Sequence, residues 1–192
     1  LPGGYMGNLF NTPIIITHFA GDPRVVVHDA RAAARELATL RKDHPDGYEH
    51  KYVEGKGVSH GFPPKWGPSK IISWMTKFKR DPYPAKVIWE PSVRTKRRFF
   101  WLRKKSVFTS RGRDQRIVAT IEKNEIVIDA INKSGLSILL APKMFKPDQE
   151  VVVRHHGQEI FRGKLRRDPA ALLESILANI DENQVFEYRI DL

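Results

Sequence analysis

The amino-acid sequence predicts a chain that is α/β in its first part and mainly β in its second. Three observations carry this. Apolar β-branched runs alternate with helical periodicity as far as about residue 80, the order that gives parallel strands linked by helices. A charged, proline-containing stretch, KRDPYP, then interrupts the chain. Beyond it, short strand-like runs follow one another with only one helical stretch among them. The expected division is residues 1–82, a βαβα portion, and residues 83–192, a β-rich, sandwich-like domain.

In the first part, Pro13 to His18 holds the run Ile14, Ile15, Ile16 and Thr17 without polar alternation, as a strand covered on both faces requires. From His28 to Arg41, Ala30, Ala33, Ala34, Leu37 and Leu40 recur at helical spacing, with Arg31, Arg35, Glu36 and Arg41 outside the stripe. Asp43, Pro45, Asp46 and Gly47 end that helix. Tyr48 to Val53 reads as the next strand and GKGVSHGFPP as a loop. Ser69 to Phe78 reads as a helix with Ile71, Ile72, Trp74, Met75 and Phe78 inward.

The second part offers eight candidate strands: Lys86 to Glu90, Arg97 to Leu102, Ile117 to Glu122, Glu125 to Ala130, Leu136 to Ala141, Glu150 to His155, Glu159 to Arg162 and Val185 to Ile190. Lys123 with Asn124, and His156 with Gly157, are two-residue turn signals, so antiparallel hairpins are expected. Asp168 and Pro169 supply an N-cap and a first-turn proline for a helix carrying Leu172, Leu173, Ile176, Leu177 and Ile180. His155 and His156 are neighbours on a strand, where successive side chains face opposite ways, so they are not expected to chelate one metal together. Trp74, Trp89 and Trp101 lie in apolar segments and read as core anchors, while Trp66 stands in a loop.

Composition narrows the classes. With 41% hydrophobic and 10% aromatic residues, the chain can bury a core. Its lack of cysteine excludes disulfides, thiolate metal sites and a cysteine nucleophile, and no motif points to a cofactor or metal. No apolar run of about 18 residues exists, so no membrane span is expected. The formal net charge is +11, concentrated between Arg94 and Arg116, where Lys96, Arg97, Arg98, Arg103, Lys104, Lys105, Arg111 and Arg113 surround Phe99, Phe100 and Trp101. Such interleaving suits nucleic acid, but a core strand leading into a basic hairpin explains it with less.

Two strands and two helices bury too little to offset chain entropy, of order 100 kcal/mol for about 80 residues. More sheet is therefore expected for the first part. It would come from a preceding segment of the same protein, from the β-rich half, or from a second copy pairing along an exposed edge, which leaves a homo-oligomer open.

Asp22 and His60 stand out by context. Each follows the carboxyl end of a predicted parallel strand, where catalytic side chains gather in open α/β sheets. The acid precedes the histidine, with room between them for one helix and one strand, and that is the chain order of the last two triad members in such folds. Singly, Asp22 fits an Asx-turn before Pro23, and His60 a loop histidine bonded to backbone. As an ordered pair they favour an acid that orients a general base. GVSHG, from Gly57 to Gly61, has the letters of GxSxG, yet Ser59 makes a poor nucleophile: FPPKWGP follows it and opposes the immediate helix that a nucleophile elbow needs.

The stretch IIITHFAGDPRVVVHDARAAARELATLRKDHPDGYEHKYVEGKGVSHGF resembles the end of the catalytic domain in α/β-hydrolases of the prolyl oligopeptidase-like peptidase and dienelactone-hydrolase-type esterase families. In those families the acid sits in a pattern like GxxDxxV, often preceded by HG, and the histidine in GxxHGF. Asp22 with Val25 and Val26, and His60 with Gly61 and Phe62, fall on these positions. The expected HGxxD reads HFAGD, so His18 matches and Phe19 replaces the glycine. The resemblance covers about residues 10 to 80. It implies a serine peptidase or esterase whose nucleophile and oxyanion donors lie upstream of Leu1, hence a C-terminal fragment that carries the acid and base, and is inert alone. The competing expectation is a non-catalytic binding or accessory module with a basic surface. Neither reading fixes a substrate or a compartment.

Overall fold

In the computed structural model of the protein, the described residues are 5–91, 97–105, 115–130, 134–178 and 183–192. Arg94, Lys96, Arg111 and Arg113 of the basic cluster, and Ile180, lie outside them. Among the described residues there are eleven strands and three α-helices, α/β first and β-rich after. The chain divides into two compact units, Leu1–Arg80 and Asp81–Leu192, and the boundary falls inside KRDPYP.

The first unit is built around one βαβ crossover. Strand β1 (Ile14–Phe19) leads through helix α1 (Val27–Asp43) to β2 (His50–Gly55), which pairs with β1 in parallel, Ile14 opposite His50 and Phe19 opposite Gly55. Helix α2 (Pro68–Met75) follows and begins on a proline, whose fixed φ and missing N–H suit a first turn. Ala30, Ala33 and Leu37 of α1 are buried, as their periodicity predicts. A knot of rings closes the far end: buried Phe10 packs edge-on against Tyr48 at 5.4 Å.

Two expectations fail in this unit. Cover on both faces was expected for β1, but Ile14, Ile15, Ile16 and Thr17 are only half-buried, because this sheet has two strands and β1 pairs along one edge alone among the described residues. Ile72 and Met75 of α2 were expected inward and are exposed; Trp74 carries the packing, with Phe78 edge-on at 4.7 Å.

The second unit has two sheets. One orders β10-β9-β7-β6-β3 from strands Lys86–Trp89 (β3), Ile117–Glu122 (β6), Glu125–Ala130 (β7), Val151–His155 (β9) and Gln158–Gly163 (β10). The other orders β11-β8-β5-β4 from Arg98–Phe99 (β4), Leu102–Lys104 (β5), Leu136–Leu140 (β8) and Tyr188–Asp191 (β11). Their facing side chains, among them Trp89, Ile126 and Val153 from one sheet and Leu102, Ile138 and Tyr188 from the other, make one buried core. β6 and β7 form an antiparallel hairpin turning at Lys123, whose φ is 55°, and β9 and β10 another turning at His156 and Gly157. β7 and β9 pair in parallel, which the hairpin pattern did not indicate.

Two further expectations are corrected here, and the last helix shows which of its residues are buried. Arg97 to Leu102 is a tight hairpin rather than one strand: the chain turns at Phe100, φ 50°, so that Trp101 is fully buried with its Nε1 donating to Pro84 O at 2.8 Å. In helix α3 (Pro169–Ala178), Ala171 and Ser175 face the core, while Leu172, Leu173, Ile176 and Leu177 are exposed. His155 and His156 do not diverge; His156 leaves the strand with φ 48°, and the two rings lie 4.1 Å apart.

Candidate active site

Asp22 sits in the turn that leaves the carboxyl end of β1, and His60 in the loop that leaves β2. Since β1 and β2 run parallel and adjacent, both loops emerge at one end of the sheet. Backbone bonds tie them together: Ala20 N donates to Gly55 O at 2.9 Å and Gly21 N to Gly57 O at 3.0 Å. Gly21 is required at this crossing, because a Cβ there would stand 2.9 Å from Gly57 O and 3.1 Å from Val58 Cγ2. Gly57 answers with φ +101°, a conformation that side chains disfavour.

The Asp22 carboxylate is nearly buried, at 6% exposure, and both oxygens are engaged. Oδ1 accepts the N–H groups of Arg24 at 2.8 Å and Val25 at 3.1 Å, closing an Asx-turn. Oδ2 lies 2.7 Å from Nδ1 of His60. One oxygen thus closes the turn and the other meets the His60 ring. Burial pushes this carboxyl up, but the Arg24 N–H, the His60 ring and the Val25 N–H outweigh it, and it is lowered from 3.8 to about 2. Asp22 is therefore ionised throughout the neutral range.

A carboxylate can only accept, so His60 Nδ1 carries the proton and Nε2 is left as a lone pair when the ring is neutral. Nε2 has no hydrogen-bond partner among the described residues, and the side chain is 44% exposed. Ser59 does not supply one. It makes no hydrogen bond to the neighbouring ring, β2 ends at Gly55, and the next helix begins only at Pro68. His18, named in sequence only as part of HFAGD, also reaches this carboxylate, its Nε2 3.8 Å from Oδ2.

Beside the pair, on the α1 side of β1, lies an apolar groove of about 310 Å3 lined by Met6, Ile14, Ile16, His18, Val25 and Ala30 among others. Trp66 lies elsewhere on the unit, with Lys51 Nζ 4.7 Å and Lys70 Nζ 5.6 Å from its ring centre. Among the described residues no cluster of three or more His, Asp or Glu side chains is arranged to hold a metal, and no helix is long and apolar enough to cross a membrane. In comparisons with family models, curated proteins and solved structures, none matches this chain.

Proposed function

We propose that Asp22 and His60 are the acid and the base of a serine-hydrolase triad acting on an ester or peptide bond, and that the nucleophile belongs to polypeptide other than the residues described. The observation that carries this reading is the 2.7 Å bond from His60 Nδ1 to Asp22 Oδ2 with Nε2 left open. The carboxylate holds the imidazole in the tautomer whose Nε2 can take a hydroxyl proton, and it stabilises the imidazolium that follows. The placement of both groups beyond the carboxyl ends of neighbouring parallel strands supports the same reading. On the His60 loop, exposed Val58 and Phe62 offer apolar surface to a substrate.

In this reading residues 1–80 are the closing portion of an α/β-hydrolase sheet of the prolyl oligopeptidase-like or dienelactone-hydrolase type. A preceding part of the same protein pairs with the free edge of β1 and brings the serine and the oxyanion donors. The 192-residue chain alone is inert. The test is labelling by a fluorophosphonate probe. The chain alone should stay unlabelled, and a parent polypeptide with its preceding segment should label at one serine, with Asp22→Asn and His60→Ala each abolishing it. Labelling of the 192-residue chain that Ser59→Ala removes would overturn the proposal.

The accessory-module reading finds less support. Of the described cations in the basic hairpin, Arg103 binds Glu174, Lys104 Nζ donates to Ser134 O, and Lys105 pairs with Asp191. Arg98 of the same hairpin is turned inward, its guanidinium 5.0 Å from the Phe186 ring centre; with these cations engaged or buried inside the unit, weak, salt-sensitive retention on heparin is expected.

A further inference from the structure

His18 is the imidazole that the proposed pair leaves out, and it stands against the same carboxylate. It lies near the end of β1 with its side chain 12% exposed. Its Nδ1 is 2.8 Å from Phe19 O, an atom that only accepts, so Nδ1 carries the ring proton. Nε2 of the neutral ring is then a lone pair, 3.8 Å from Asp22 Oδ2, the oxygen that His60 Nδ1 holds at 2.7 Å. Acceptor faces acceptor, and nothing is gained. Once protonated, the same nitrogen presents an N–H to that oxygen, and charge makes the contact attractive.

We infer that His18 is a positioning residue for the pair: on taking a proton it competes with His60 for Asp22 Oδ2 and so makes the grip of the acid on the base depend on pH. The inference rests on the reading of Asp22 and His60 as triad members. The charged groups around His18 come from each neighbouring element. Its own turn contributes Asp22. Strand β2 places Glu54 opposite it in register, bound by Arg31 of α1 through Nε at 2.9 Å and Nη2 at 2.6 Å and by the Tyr52 hydroxyl at 2.5 Å. The Arg31 and Tyr52 bonds hold the Glu54 carboxyl down at about 2 against burial, with a smaller contribution from the charge of His18. Helix α1 also sets Asp29 in the lining of the same groove. Asp22 and Glu54 thus stay ionised across the range in which imidazoles ordinarily titrate, around pH 6.5, and there only the rings change charge. When both rings carry the extra proton, two N–H donors face one oxygen.

The experiment is a pH titration of the ring carbon-bound proton resonances of His18 and His60 in the labelled 192-residue chain, with His18→Phe and His18→Gln beside the wild type. Phe fits the apolar groove and Gln keeps a neutral polar group; neither takes up a proton. In both variants the pH dependence of the His60 resonances should differ from that of the wild type, because no second ring then approaches Asp22 Oδ2. If the phenylalanine variant loses its fold, the glutamine variant decides. A His60 curve unmoved in a folded variant overturns the role of His18 and leaves the Asp22 pair standing. A His60 curve unmoved by Asp22→Asn removes the pair, and the inference with it.

Discussion

At Asp22 one carboxylate oxygen closes a turn while the other holds an imidazole, so the side chain shapes the loop that it also equips. The cost is sensitivity to acid. The carboxyl is lowered on folding from 3.8 to about 2, so the unfolded chain takes up a proton first as pH falls. Its contribution to stability is complete above about pH 4 and drains away between there and about pH 2. Urea denaturation of the wild type and Asp22→Asn should therefore show a stability gap that narrows as pH falls from about 4 to about 2; a gap unchanged across that interval would contradict the assignment. The pair itself was legible in the sequence, because order and loop position pointed to Asp22 and His60 together. His18 was not, since HFAGD says nothing of which way an imidazole on β1 leans. The close approach of the His155 and His156 rings was missed for a related reason: a left-handed turn residue no longer obeys strand alternation.

Among the elements, the crossing of the two site loops is the tightest constraint. Gly21→Ala would drive a methyl group to 2.9 Å from Gly57 O, and backbone cannot swing aside as a side chain does. The substitution should cost about 1–3 kcal/mol and move His60 off Asp22, read as loss of the fixed ring tautomer together with a lower denaturation midpoint. The hairpin of β4 and β5 carries a comparable demand. Trp101 is fully buried with its Nε1 bonded, so Trp101→Phe should cost about 1–3 kcal/mol and Trp101→Ala about 3–5 kcal/mol, measured by chemical denaturation. Turn chemistry explains which hairpins could be read in advance. Lys123 with Asn124 and His156 with Gly157 declare themselves, whereas Phe100 takes a positive φ that aromatic residues rarely adopt, and only the burial of Trp101 compels it. In helix α3 the large apolar residues Leu172, Leu173, Ile176 and Leu177 are the exposed ones, so periodicity could not show that Ala171 and Ser175 face inward; Ser175 Oγ donating to Ala171 O and accepting from Phe186 N decides it.

As a whole the molecule joins two units of unequal self-sufficiency. The β-rich unit closes its own core between two sheets, while the first has a two-stranded sheet whose β1 is half-bare. Two-stranded sheets are marginal in water. Residues 81–192 expressed alone should melt cooperatively and protect their strand amides from hydrogen exchange, whereas residues 1–80 alone should not; a cooperative, protected 1–80 fragment would show that β1 needs no further partner. The division itself was legible from KRDPYP, but the pairing of β7 with β9 in parallel and the bareness of β1 were not, because both depend on chain brought in from afar.

The central claim, that Asp22 fixes His60 with Nε2 free to take a proton, is tested most directly by nitrogen NMR of the His60 ring at a pH where it is neutral. The wild type should show the proton on Nδ1, and Asp22→Asn should lose that preference. A neutral wild-type ring carrying its proton on Nε2 would contradict the account.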